Sequence, residues 1–175
     1  MLDQVINVIR SNSFDSIYLT GYLDYEDDEV AQFYSDMRFL YFEFGDKMVE
    51  FYKYEPVNQA SKLRVTVVDS VRHEFDLEDV VPGKSKINGI IFKNPLADNR
   101  VEKMYCFNLK EKDGEFLCDA LHIKLCNGQD IFLDPGFLGI NIGGLDVKQV
   151  WEDNLMNGVV PEEIRIEFEE PFAGQ

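Results

Sequence analysis

Alternation is the feature that most restricts this chain. Apolar side chains recur at every second position over short runs, and turn residues separate the runs. Phe42 and Phe44 flank Glu43, Gly45-Asp46 reads as a turn, and Val49 and Phe51 return on one face of residues 48–54. Leu63, Val65 and Val67 make one face of another strand, as do Leu121, Ile123 and Leu125, with His122 and Lys124 on the reverse side. A period of two matches the pleat of a strand and scatters around a helix, so most of the chain is expected to be sheet. Residues 116–125 read as one strand after a turn at Glu111-Lys112-Asp113-Gly114. Asn127-Gly128 is the strongest hairpin signal, because a type I′ turn needs positive φ at both central positions. Ile164, Ile166 and Phe168 alternate with Glu163, Arg165, Glu167 and Glu169, which predicts a final half-exposed strand.

Helical spacing occurs twice. Leu2, Val5, Ile6 and Ile9 form one stripe, ended by Ser11-Asn12-Ser13. Val147, Val150, Trp151 and Leu155 form another over residues 146–157, with Asp146 as the cap and Asn157-Gly158 as the stop. The expected class is α+β: mostly antiparallel sheet in hairpins, an N-terminal helix and a short helix at 146–157. One domain over residues 1–175 is the default for this length. Pro82-Gly83-Lys84-Ser85-Lys86 is the best boundary near the middle, and Ile90 to Phe92 reads as a short strand after it. The halves on either side, about 1–82 and 86–175, share the order strand, turn, strand. That order is compatible with a duplication, but hairpins share it for physical reasons alone.

Composition narrows the function. Acidic residues number 33 against 17 basic ones, a formal charge of −16. Such a chain repels phosphate backbones and anionic membranes, which argues against binding nucleic acid or a membrane. At 45% hydrophobic it is too apolar to be disordered. Met1-Leu2-Asp3-Gln4 lacks the basic start of a secretory signal, and no apolar run approaches the roughly 20 residues of a membrane helix. Cys106, Cys118 and Cys126 are odd in number and show no Cys-x-x-Cys spacing. Together these features predict a cytoplasmic protein whose thiols stay reduced and pack in or beside strands.

Sequence signatures of chemistry are mostly lacking. His73 and His122 are the only histidines and are far apart, so no zinc spacing exists. A calcium loop counted from Asp24 needs Gly at its sixth position and Glu at its twelfth, where Glu29 and Ser35 stand. Gly83-Lys84-Ser85 ends like a phosphate loop, but Glu78 occupies the place of the first glycine. Gly139, Gly143 and Gly144 do not make a dinucleotide fingerprint; they mark bends or close backbone approach. No Gly-x-Ser-x-Gly elbow accompanies His122. No catalytic residue, metal ligand or cofactor is therefore expected.

Acids cluster at residues 24–29, 74–79 and 162–170, and seven of the eight tyrosines lie within the first 54 residues. Asp24, Glu26, Asp27, Asp28 and Glu29, with Tyr25 among them and Tyr34 close by, make the candidate contact surface. Carboxylates beside aromatic rings suit a Lys- and Arg-rich protein partner. The segments 127–135 (Asn127-Gly128-Gln129-Asp130-Ile131-Phe132-Leu133-Asp134-Pro135) and Trp151-Glu152-Asp153 are the most distinctive in the chain. In size, acidity, β-rich grammar and lack of a catalytic signature, the whole chain resembles the immunity proteins that neutralise bacterial polymorphic and contact-dependent inhibition toxins. The resemblance implies a protein that binds one cognate basic toxin domain, often a nuclease, and blocks it. Two alternatives stand beside it: a general protein-interaction or DNA-mimic module, and an enzyme whose site carries no sequence signature. A buried carboxylate or histidine in a pocket, with a shifted pKa, would favour the enzyme.

Overall fold

A computed structural model describes residues 2–25, 30–73, 80–112, 115–155 and 158–168. The protein is α+β. Helix α1 (Leu2–Ser11) is followed by strands β1 (Phe14–Asp24), β2 (Gln32–Phe44), β3 (Lys47–Tyr54), β4 (Lys62–Val68) and β5 (Val81–Lys86). Then come α2 (Asn88–Ile91), β6 (Val101–Phe107), β7 (Lys110–Lys112), β8 (Glu115–Cys118), β9 (Ala120–Leu125), β10 (Asp130–Pro135), β11 (Ile140–Gly143), α3 (Leu145–Asp153) and β12 (Glu163–Glu167). One sheet has the order β5-β1-β2-β3-β4-β8-β7, the other β11-β10-β9-β6-β12, and the pairings are antiparallel.

The alternating residues meet between the two sheets. Leu40, Phe42, Phe44, Val49, Phe51, Leu63 and Val65 of the larger sheet share one core with Met104, Cys106, Leu121, Ile123, Leu125, Ile131 and Leu133 of the smaller. Val5 and Ile9 of α1 join that core, as the helical stripe predicts. Phe14 stacks on Phe44 and meets Phe42 and Phe92 at centroid distances of 4.6–5.0 Å. Burying one such side chain contributes about 1.5–3 kcal/mol, whereas an exposed ion pair contributes less than about 1 kcal/mol. The apolar alternation therefore sets this fold, and the abundant surface charge does not.

Several expectations change. Residues 82–86, read above as loop-like, lie in β5, paired with β1 from Tyr18↔Lys86 to Leu23↔Val81. Pro82 is tolerated because β5 is the sheet edge, where a missing N–H costs no ladder bond. The expected strand at Ile90 to Phe92 is instead the short helix α2, whose first residue Asn88 bonds Ile17 N–H and the Asp15 carbonyl through its side chain. Helix α3 is capped by Gly144 rather than Asp146, which sits in its first turn, and it ends at Asp153. Asn127-Gly128 does turn the chain, but only Gly128 has positive φ (81°), so the turn is not type I′. Gly128 N–H bonds the Leu125 carbonyl, while the Asn127 side chain bonds Gln129 N–H and Asn99. Residues 74–79, read above as an acidic cluster, and Asp113 and Gly114, read as part of a turn, lie outside the described residues.

The run 116–125 is not one strand. It breaks at Asp119, where the chain leaves the seven-stranded sheet as β8 and enters the five-stranded one as β9. Its partner strand breaks at the same level, between β6 and β7, at Asn108. One long hairpin thus bends from sheet to sheet. Asn108 adopts φ 51°, its amide bonds Asp119 Oδ2 (2.7 Å), and its Oδ1 accepts from Glu162 N–H (2.8 Å). Asp119 also pairs with Lys62 of β4, and its N–H bonds the Phe107 carbonyl.

Two outcomes test this description. Asn108→Gly keeps the left-handed backbone and loses the side-chain bonds, while Asn108→Ala loses both. In urea unfolding the alanine variant is expected to be less stable than the glycine variant by about 1 kcal/mol; equal stabilities would show that the corner does not require that backbone. The thiols of Cys106 and Cys118 are buried, which pushes Cys106 up to about 12 and Cys118 well above its ordinary value. Ellman's reagent at about pH 8 is expected to label Cys126 in the native protein and the other two only on denaturation. Rapid native labelling of all three would contradict the packing.

Candidate functional site

The end of the β1–β2 hairpin forms one exposed surface. Leu19 pairs with Leu40 but Thr20 pairs with Asp36, so Met37, Arg38 and Phe39 bulge from β2. Beyond the bulge, β3 no longer flanks β2, and among the described residues only β1, β2 and β5 continue, as a three-stranded extension. Gln32, Phe33, Tyr34 and Ser35 are exposed on both faces of that extension. Bulges re-aim strands in this way.

The extension brings together the predicted residues that lie within the described chain. Asp24 ends β1 opposite Gln32, Tyr25 follows at 60% exposure, and Tyr34 stands at 43%. Tyr34 stacks on Tyr22, its register partner, at 5.2 Å, and its hydroxyl donates to Gln32 Oε1. Glu26, Asp27, Asp28 and Glu29 lie outside the described residues. Sequence reasoning missed Phe33, whose ring lies over the facing pair Gly21 and Gly83, and the exposed Val30 and Val81. A side chain on Gly21 would collide with the Tyr34 carbonyl, so that close approach requires glycine. Tyr18 is not part of this surface; it packs beside Phe39 and Tyr41 and bonds Glu43.

A second site was not visible in the sequence. Between the β10–β11 loop and α3 lies a cleft of about 390 Å³, lined by Ser61, Asp119, Asp134, Phe137, Asn141 and Trp151 among others. Asp134 and Asn141 also line an adjoining cleft of about 530 Å³ beside Met37 and Asp146. Asp134 is only 7% exposed. Its Oδ1 accepts from Asn141 Nδ2 at 2.7 Å, and among the described residues no basic side chain pairs with it. Burial pushes its pKa up, and the Asn141 bond offsets this in part. Trp151 packs against Phe107 and Phe132 at 4.9 and 5.5 Å, which fixes one wall. Phe137 and Leu138 stand almost fully exposed at the loop tip. The loop itself is held: Lys53 Nζ donates to the Phe137 carbonyl at 2.7 Å, and Gly139 lies so close to Met37 that no side chain would fit.

His122 accounts for itself structurally. It stacks on Tyr105, and its Nε2 meets Asp130 at 2.8 Å. Among the described residues no three His, Cys, Asp or Glu side chains converge on a metal position, and no helix is long and apolar enough to cross a membrane.

Asp134 yields a signed prediction. Its folded pKa lies above the unfolded one, so its contribution favours folding at low pH and is lost as pH rises through the raised folded value. At neutral pH the buried carboxylate is a cost. Asp134→Asn keeps the Asn141 bond and is expected to raise the melting temperature by a few degrees at pH 7, a gain that vanishes below about pH 4. A variant that melts earlier at pH 7 would contradict the assignment.

Set against known proteins, the chain matches no family model, no curated protein and no solved structure.

Proposed function

We propose that this protein is a non-enzymatic acidic binding protein whose partner is a basic protein. Within that class it fits an immunity protein that binds and inhibits a cognate nuclease-type toxin domain. The observation that carries this reading is the extension's end, where Tyr22, Tyr25, Phe33 and Tyr34 gather beside Asp24 and lead into the acidic run 26–29. Rigid aromatic rings supply contact area at low entropic cost and attract guanidinium and ammonium groups across their faces. A net charge of −16 speeds encounter with a cationic domain and disfavours acidic competitors. A binding protein of this kind needs no catalytic group.

The Asp134 cleft favours a second reading, an enzyme with Asp134 as its acid–base group and Ser61 or Asp119 beside it. Asp119 is already engaged by Lys62 and Asn108, which leaves it poorly suited to proton transfer. The binding reading is therefore preferred.

The test is direct mixing with purified nuclease-type toxin domains encoded beside the gene, followed by binding kinetics and nuclease assay. One domain is expected to be inhibited stoichiometrically, with an association rate that falls steeply from low to high salt. Tyr34→Ala is expected to weaken that complex by about tenfold or more. Equal binding to unrelated basic proteins such as lysozyme would instead favour a general interaction module, and failure to inhibit any toxin domain would sink the immunity reading.

A further inference from the structure

We infer that the cleft between the β10–β11 loop and α3 is a receptor for a single lysine or arginine side chain presented by a partner polypeptide. This rests on the proposed function in one respect, that the partner is a basic protein. Asp134 is the most enclosed charged group of the lining, and its neighbour in hydrogen bonding is a neutral amide. The local cations are otherwise engaged. Lys53 holds Glu55 and the Phe137 carbonyl, Lys62 holds Asp119, and Lys148 faces Glu152 and the Phe107 ring. A carboxylate kept out of water without a cation is expensive, and an arriving cation offsets that cost.

The walls match the rest of such a side chain. Trp151, Val150, Leu155 and Phe137 present apolar surface along the cleft, suited to an aliphatic stem whose charged head reaches the acid. The indole adds attraction for a cation near its face. Phe137, a lining residue exposed at 94%, is positioned to cover the partner's backbone around the anchored residue, and Leu138, next to it in the chain, is exposed at 87%. A buried anchor ringed by water-excluding contacts is how interfaces concentrate affinity.

Trp151 is the only tryptophan, so its fluorescence reports on this cleft alone. Titration of the intact protein with N-acetyl-arginine amide is expected to change that fluorescence saturably, and N-acetyl-lysine amide likewise. The isosteric but neutral N-acetyl-citrulline amide is expected to give no saturable change. Asp134→Asn, which folds at least as stably on the argument above, is expected to weaken the arginine response about 30-fold or more. Asp69→Asn, at an exposed acid paired with Lys47, is expected to leave it unchanged. An equal response to citrulline amide, an unaltered response in Asp134→Asn, or no saturable response to either cation overturns the inference. The failures separate: a toxin complex unaffected by Asp134→Asn removes the cleft and keeps the function, whereas cleft binding of the amides with no toxin inhibited removes the immunity reading and keeps the cleft.

Discussion

The architecture depends on the bend in the β6–β9 hairpin. The hairpin's base lies in the five-stranded sheet and its tip in the seven-stranded one, so the same two chains belong to both layers. Asn108 and Asp119 face each other at the bend, and each is held from outside the hairpin, Asn108 by Glu162 and Asp119 by Lys62. With that corner fixed, Cys118 packs against Leu63 in one sheet and Leu121 against Cys106 in the other, and the core between them closes. Loss of the corner would strand two apolar faces.

Two buried carboxylates show what the fold does with charge. Glu50 is fully buried on the outer face of the larger sheet and receives Tyr41, Thr66 and Arg72 at 2.8, 3.2 and 2.6 Å. Burial and this carboxylate together push the Tyr41 hydroxyl far up, so it remains a donor. Arg72 follows β4, and its bond to Glu50 draws that segment over the sheet. Glu50 thus has a full set of partners, including a cation, and serves the structure. Asp134 has one neutral donor within a cleft, the pattern of a group whose remaining partner comes from elsewhere.

Much of the sheet could be read from the sequence because alternation is local. The β2–β3 hairpin, the stripe of α1 and the half-exposed β12 follow from spacing alone. Strand β5 could not be, since an edge strand of Pro, Gly, Lys and Ser buries little and shows no period. The corner did leave a signal that alternation counts miss. Inward residues run Phe116, Cys118 and then Leu121, Ile123, Leu125, a slip from even to odd positions that marks the change of sheet. Asp24, Tyr25 and Tyr34 were legible as a group because one hairpin joins them. The Asp134 cleft draws on separated segments around residues 60, 119, 134–141 and 150–155, and no local pattern links these.

The pairing of β12 with β6 carries a consequence for how the molecule is made. Glu163 lies opposite Phe107 and Glu167 opposite Lys103, and Phe168 enters the same core as Val5. The smaller sheet therefore lacks its β12 edge, and the core one of its aromatic rings, until residues 163–168 have been made. Pairings this distant in sequence form slowly. Until then the nascent chain must hold β6 with one side open, a period in which chaperones would find their best purchase on it.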